Sequence, residues 1–317
     1  MTVPPPAAAQ PQVPVDVVHL NYLCAGYRTW ANVPGAPPYI ATAWGSDLND
    51  EVFRRPPEHT RSMKQILQSA AAITADSHQL LGRAQMLTGD RVPRKLVLWG
   101  VDLDVFSRDR VREDAARWRG ELGIDPAQSV VLSPRQTLAH YHPDEILRGF
   151  ATSQWAKNGV LLFKCYDQQQ DTAYVDELKT LVQSMGLDNR VRFVPPCAYE
   201  RVPGLYSLAD VAVSALSVDG FPSTFSELFA LGVPLVATNL PGYASLLENE
   251  RNALLFEPGD HYALTRAFDR LFGDASLRER LRQEGQAFAM EKANFQRTID
   301  AFESLYHGAL ETKRLRT

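Results

Sequence analysis

From Val211 to Thr238 the chain spells out a strand, a turn, a helix and a second strand, and this stretch restricts the fold more than any other. Val211 to Leu216 is an unbroken apolar run of strand length, the pattern of a strand buried on both faces of a parallel sheet. Turn chemistry follows, centred on Asp219 and Gly220. Ser223 is placed to cap an amphipathic helix running to about Ala230. A second strand, Pro234 to Thr238, leads into the turn Asn239-Leu240-Pro241-Gly242. Sheets of this kind bind ligands at the carboxyl ends of their strands, which is where the 219–223 turn falls. Gly220 lets backbone approach a ligand closely, and the N–H groups after Pro222 open a helix, the place where a phosphate is held. Two carboxylates bracket the turn, Asp219 before it and Glu227 on the helix.

The alternation continues along the chain. Val15 to Leu23, Tyr39 to Trp44, Ala71 to Ala75 and Lys95 to Trp99 read as strands, with helical periodicity at about Thr60 to Ser69 and His78 to Leu87. Phe106 to Arg110 reads as the crossing into a second unit. There, strands near Ser129 to Ser133, Gly159 to Tyr166, Val191 to Val194, Val211 to Leu216, Pro234 to Thr238 and Leu254 to Phe256 alternate with helices such as Pro143 to Thr152 and Val175 to Met185. Six strands with their helices make one doubly wound domain. With 317 residues the chain also exceeds the span of one typical domain, ~100–200 residues. The fold class is therefore α/β with two lobes: a Pro- and Ala-rich leader over 1–14, expected to be disordered, a first lobe over 15–106 and a second over 107–293.

A net charge of −4 gives no long-range attraction to nucleic acid or to an anionic bilayer, so no nucleic-acid partner and at most peripheral membrane contact are expected. Cys24, Cys165 and Cys197 lie far apart without metal-ligand spacing, which fits reduced thiols in a cytoplasmic protein and calls for no metal. No apolar run approaches the ~20 residues of a membrane span, and the first residues lack the apolar core of a signal peptide.

The turn and its two carboxylates resemble the Glu-x7-Glu motif of family-4 (group 1) glycosyltransferases, retaining enzymes of the two-Rossmann-lobe GT-B fold that use nucleotide sugars. Trp44-Gly45-Ser46-Asp47, Trp99-Gly100-Val101-Asp102 with Phe106, Ser133-Pro134-Arg135, Val191-Arg192-Phe193-Val194 and Leu231 to Thr238 are similar to further landmarks of that family, in its order. The resemblance covers about Val15 to the C-terminus. It implies a GT-B protein whose closing helix, here 294–310, returns to the first lobe. It also implies transfer of a sugar from a nucleotide-diphosphate donor to a sugar, lipid or polysaccharide acceptor, with no cofactor.

On this resemblance Arg135 binds the diphosphate, Glu227 accepts from ribose hydroxyls, and Asp219 holds hydroxyls of the transferred sugar. Arg135 and Asp219 are then the catalytic pair, because a departing diphosphate gathers negative charge that a cation must meet. Gly220, Phe221, Pro222 and Ser223 line the donor. Where the family carries a Lys five residues after the Arg, this chain has His140, and Lys164 is the candidate replacement. Trp44, Asp47 and Ser77 match positions on the acceptor side. Plainer roles exist for each: Glu227 as a surface residue in the first turn of its helix, Asp219 and Asp47 as turn residues, Asp76 or Ser77 as a helix cap, Lys164 as a snorkelling side chain.

A full GT-B first lobe has further β/α units before the one that resembles Val15 to Leu23. Without them that strand becomes a sheet edge with apolar residues on both faces, which predicts a homodimer, a lobe-completing partner or else aggregation. Two functions follow, a glycosyltransferase or a partner-dependent nucleotide-sugar-binding module without its own transfer.

Overall fold

The computed structural model describes residues 15–31, 33, 35–49, 56–165 and 172–314, so the expected leader over 1–14 lies outside the described residues. The chain divides into two compact units. Unit 1 gathers Met1–Trp99, Val218–Phe221 and Gln296–Thr317, and unit 2 gathers Gly100–Ser217 and Pro222–Phe295. The change of unit thus falls at Gly100, ahead of the Phe106 crossing expected from sequence. Val101 donates its N–H to Ala293 at 2.8 Å and bridges Asn294, while the Phe106 ring lies 6.1 Å from that of Tyr199, so 101–106 is fastened within unit 2.

Unit 1 is built on four parallel strands, β1 (Val18–Asn21), β2 (Tyr39–Ala43), β3 (Ala72–Ala75) and β4 (Arg94–Leu96), in that spatial order. The helices α1 (Pro57–Ser69) and α2 (His78–Thr88) bury Met63, Ile66, Leu67 and Leu80 with Leu20, Ala41, Ala43 and Ile73. The other face meets α10 (Phe295–Arg314), whose Leu305, Tyr306 and Ala309 pack with Val17, Ile40 and Ala72. Apolar residues on both faces of these strands are therefore covered from both sides, the usual state of a parallel sheet. β1 pairs with β2 alone among the described residues, the edge position expected for it. His19 is satisfied there, with Nδ1 2.7 Å from the Tyr306 hydroxyl and Nε2 2.6 Å from Thr42 Oγ1, and burial pushes its pKa down.

Unit 2 has six parallel strands, β5 (Ser129–Ser133), β6 (Gly159–Lys164), β7 (Val191–Val194), β8 (Val211–Ser214), β9 (Leu235–Thr238) and β10 (Leu254–Phe256). Their order is β10-β9-β8-β5-β6-β7, which is the complete doubly wound arrangement, with its reversal between β5 and β8. The core joins Val131, Leu161, Phe163, Val213 and Val236 to α4 (Pro143–Thr152), α5 (Thr172–Ser184), α8 (His261–Gly273) and α9 (Ala275–Lys292) through Phe150, Leu178, Phe268 and Leu281. The helices α3 (Arg108–Glu121) and α6 (Val202–Ser207) meet through the Trp118 indole, which donates to the Arg201 carbonyl at 3.0 Å. α7 (Ser223–Ala230) follows β8. No described helix is long and apolar enough to cross a membrane.

Candidate functional site

The strand order of unit 2 reverses between β5 and β8, and sheets of this kind bind ligands outside the carboxyl ends of the strands at such a reversal. Arg135 lies two residues beyond the end of β5 and is half-buried, with its guanidinium carbon 5.1 Å from the centroid of the Tyr141 ring. That stacking limits the side chain's freedom and leaves the planar fork suited to a diphosphate. Lys164 ends the neighbouring β6 at 5% exposure. A residue buried to this degree does not snorkel from an outer face, and its charge acts on a neighbour within the unit.

Glu227 is where that charge is felt. It sits in the second turn of α7 at 9% exposure, so the description of a surface glutamate in the first turn, held by the helix dipole, is also overturned. Burial pushes its carboxyl up to about 7, against the opposing charges of Lys164 and then Arg135 and a hydrogen bond donated by the Tyr199 hydroxyl. One carboxyl, two cations and one phenol thus interact within unit 2. His140, where a second cation of the Arg135 loop was sought, is pushed towards the neutral form by burial and by the charges of Arg135 and His142. Lys164 is the second positive charge on Glu227.

The start of α7 departs from expectation in one detail. Pro222 (φ −73°, ψ 142°) is the capping residue, its side chain makes no capping bond, and Ser223 is the first helical residue. The Phe225 N–H donates to the Pro222 carbonyl at 3.0 Å. A proline in extended conformation ends the turn just as a capping serine would, because its fixed φ suits both states.

Asp219, Gly220 and Phe221 pack with unit 1. Phe221 is 1% exposed, so its side chain anchors the turn and leaves only its backbone to a ligand. Gly220 faces Asp76: a Cβ there would overlap Asp76 Oδ1 and lie 2.7 Å from Cγ and Oδ2. Asp47 is 1% exposed and its carboxylate accepts from the N–H groups of Leu23 (2.9 Å), Gly45 (2.9 Å) and Trp44 (3.1 and 3.2 Å). Its oxygens are thereby committed to backbone, the turn role set beside an acceptor role. Ser77 is fully buried and caps α2, its Oγ accepting from the Leu80 N–H at 3.3 Å. Trp44 is 47% exposed, with its ring 5.1 Å from Trp99.

Sequence reasoning missed Tyr199 and gave Asp76 only a capping role. Tyr199 carried no signal beyond following Pro195-Pro196 at the end of an apolar run. For Asp76 the signal was present, a carboxylate at the end of Ala72-Ile73-Thr74-Ala75, where a strand enters its loop.

Two Rossmann-like α/β units in one chain define a protein of the GT-B kind. Sucrose-phosphate synthase from Thermosynechococcus elongatus shares the fold at a TM-score of 0.81 and 21% identity, over 94% of this chain and 74% of that one. HepE of Anabaena, solved in complex with UDP-glucose, shares it at 0.79 and 18%, over 92% and 78%. The profile of the glycosyl transferases group 1 matches residues 114–288, more than half of the 317 residues, and the chain belongs to that family. Among curated proteins it is similar to D-inositol 3-phosphate glycosyltransferase of Salinispora tropica, 25% identical over 289 residues covering 77% of this chain. It is also similar to N-acetyl-alpha-D-glucosaminyl L-malate synthase of Bacillus anthracis, 19% identical over 301 residues covering 93% of this chain. The chain spans 60% of the length of the first and 75% of the second.

Proposed function

We propose that this chain is a family-4 glycosyltransferase that moves a sugar from a nucleotide-diphosphate donor to a hydroxyl of a glycan, lipid or small-molecule acceptor, with retention at the anomeric carbon. The observation that carries the proposal is the meeting of Lys164 and Arg135 with the buried Glu227 at the β5–β8 reversal of unit 2. Two cations answer a diphosphate, and a buried carboxyl beside them answers the vicinal hydroxyls of a ribose. HepE, whose structure contains UDP-glucose, lends the donor class.

In the reaction the bond between the anomeric carbon and the diphosphate oxygen breaks while the acceptor oxygen bonds to the same face. Charge grows on the departing oxygen, and Arg135, Lys164 and the N–H groups at the start of α7 are the groups assigned to meet it. That oxygen lies on the side of the incoming hydroxyl and takes its proton, so charge and atoms balance. Asp219, next to α7 in the chain, is assigned to the hydroxyls of the sugar. Calorimetry with UDP, GDP and ADP and their glucose conjugates tests the proposal. Heat from none of the six at millimolar concentration would overturn it.

A second reading is favoured by unit 1. Asp47 is committed to backbone, Ser77 to a helix cap, and an indole at Trp44 has no titratable group, which leaves the acceptor side poor in chemistry. A module that binds the nucleotide sugar and depends on a second chain for transfer would look like this. Nucleotide release with lipid and sugar acceptors separates the two: binding without release favours the module.

A further inference from the structure

Asp76 is the most unusual titratable group outside the residues assigned above. It follows β3, is 5% exposed, and its Oδ1 is buried without a hydrogen-bond partner. Burial, then the charge of Asp219 and the charge of Asp47, push its carboxyl up to about 8, while the backbone N–H groups of Phe221 and of Asp76 itself oppose the rise. The groups that face it are Asp219 and Phe221 from the turn before α7 and Asp47 from the turn after β2. All of them belong to unit 1.

Gly220 takes a new meaning from this neighbour. Any side chain at 220 would run into the Asp76 carboxyl, so the glycine is required by a protein group, whatever a ligand requires. An ionised carboxylate with an orphaned oxygen in such a place is costly, whereas the neutral acid gains an O–H that needs an acceptor. Asp219 is the carboxylate whose charge Asp76 feels most. The charge of Asp219 opposes ionisation of Asp76 and so favours one proton kept on the pair.

We propose that Asp76 is a positioning residue for Asp219: the two carboxyls share one proton, and the pair locks the Asp219–Gly220 turn in the form that presents Asp219 to the sugar of the donor. The inference rests on the assignment of Asp219 to that sugar. Loss of the shared proton puts two like charges side by side and loosens the turn. Preference for a nucleotide sugar over the free nucleoside diphosphate should therefore fall as pH rises. The change in Glu227 affects both ligands alike, and the terminal phosphate of the free nucleoside diphosphate, which loses its last proton near about pH 6, affects parent and variants alike, so the coupling is read from the difference between their curves.

The experiment measures that ratio by calorimetry with UDP, GDP and ADP and their glucose conjugates, for the parent, Asp76→Asn and Asp76→Ala. Between about pH 6 and about pH 9 the parent's preference should fall roughly ten-fold relative to that of Asp76→Asn, the change produced by one pK unit of coupling between proton and sugar. Asp76→Asn keeps the shape and donates an N–H at every pH, so its preference should stay high and show only the titration of the free ligand, while Asp76→Ala should lose preference throughout. Parent and Asn curves that run parallel overturn the inference. Infrared difference spectra of the ligand-free Glu227→Gln protein, in which the other raised carboxyl is silent, supply the second readout. There a protonated-carboxyl band should titrate near pH 8, vanish when Asp76→Asn is added and move to lower pH when Asp219→Asn is added. If nucleotides bind and the band is missing, this inference alone falls. If the band behaves as stated and none of the six ligands binds, the nucleotide-sugar proposal falls and takes the positioning role with it.

Discussion

Replacing Glu227 by Gln should make the protein more stable above neutrality and worse at holding a nucleotide. Glu227 is 9% exposed, and burial lifts its carboxyl from 4.5 to about 7 in the fold. Between those values the native state keeps a proton that the unfolded chain has released, so the group's contribution is fully present below about 4.5 and is lost as pH rises through about 7. The loss runs at up to ~1.4 kcal/mol per pH unit and accumulates to roughly 3 kcal/mol over the window. Glutamine has nearly the same shape and no titration. Parent and Glu227→Gln should thus have similar stability near pH 4 and diverge until the variant leads by roughly 3 kcal/mol near pH 8. Urea unfolding across that range measures the difference directly, and the slope from Asp76, present in both proteins, drops out. Binding above about pH 8, where Glu227 is ionised, should move the other way, with a loss of about 5- to 150-fold for a nucleotide sugar, the worth of a charged acceptor on buried hydroxyls. Parallel stability curves for the two proteins would refute the burial argument. Equal affinity of the two for a nucleotide sugar that the parent binds would remove Glu227 from the ribose.

Two further substitutions test separate parts of the structure. Lys164→Met should lower affinity for a nucleoside diphosphate and flatten its salt dependence, because one of two cations assigned to the phosphates is gone; an unchanged salt slope in isothermal titration would take Lys164 out of the site. Asp47→Ala should cost roughly 1–3 kcal/mol of stability in denaturant unfolding by stranding the N–H groups of Leu23, Trp44 and Gly45, yet leave nucleoside diphosphate affinity unaltered, and a weaker affinity would show that Asp47 has a ligand role.

The strand positions were legible because strands of a parallel sheet are apolar on both faces, as Ser129–Ser133 and Leu254–Phe256 show residue for residue. Strand ends were less so. Val211 to Leu216 reads as one strand, but the ladder stops at Ser214 while Ala215 and Leu216 remain buried at 1% and 4%, since burial continues where the hydrogen bonding to neighbours has ended. In the candidate site, the placement of Arg135 after β5 and of Glu227 on a helix followed from pattern. The depth of each charge did not. Lys164 in Leu161-Leu162-Phe163-Lys164 reads equally as an outward or an inward charge, and only the packing of β6 between β5 and β7 decides it. Likewise the turn role of Asp47 and the capping role of Ser77 depend on which N–H groups arrive beside them, and the Leu23 N–H arrives from 24 residues away.

Unit 1 draws on both ends of the described chain, and this sets an order of events during synthesis. The Leu98 carbonyl waits for the Thr298 hydroxyl, 200 residues later, and His19 waits for Tyr306, 287 residues later. At about 5–20 residues per second, the ribosome needs roughly 10–40 s to span the shorter of these gaps. Through that interval the face of β2 and β3 that will hold Ala309, with Ile40 and Ala72 on it, has no helix to cover it. Unit 2, continuous in sequence apart from Val218–Phe221, is complete before α10 has emerged. The nascent protein is therefore most exposed to misassembly in its first unit, and the arrival of α10 ends the exposure.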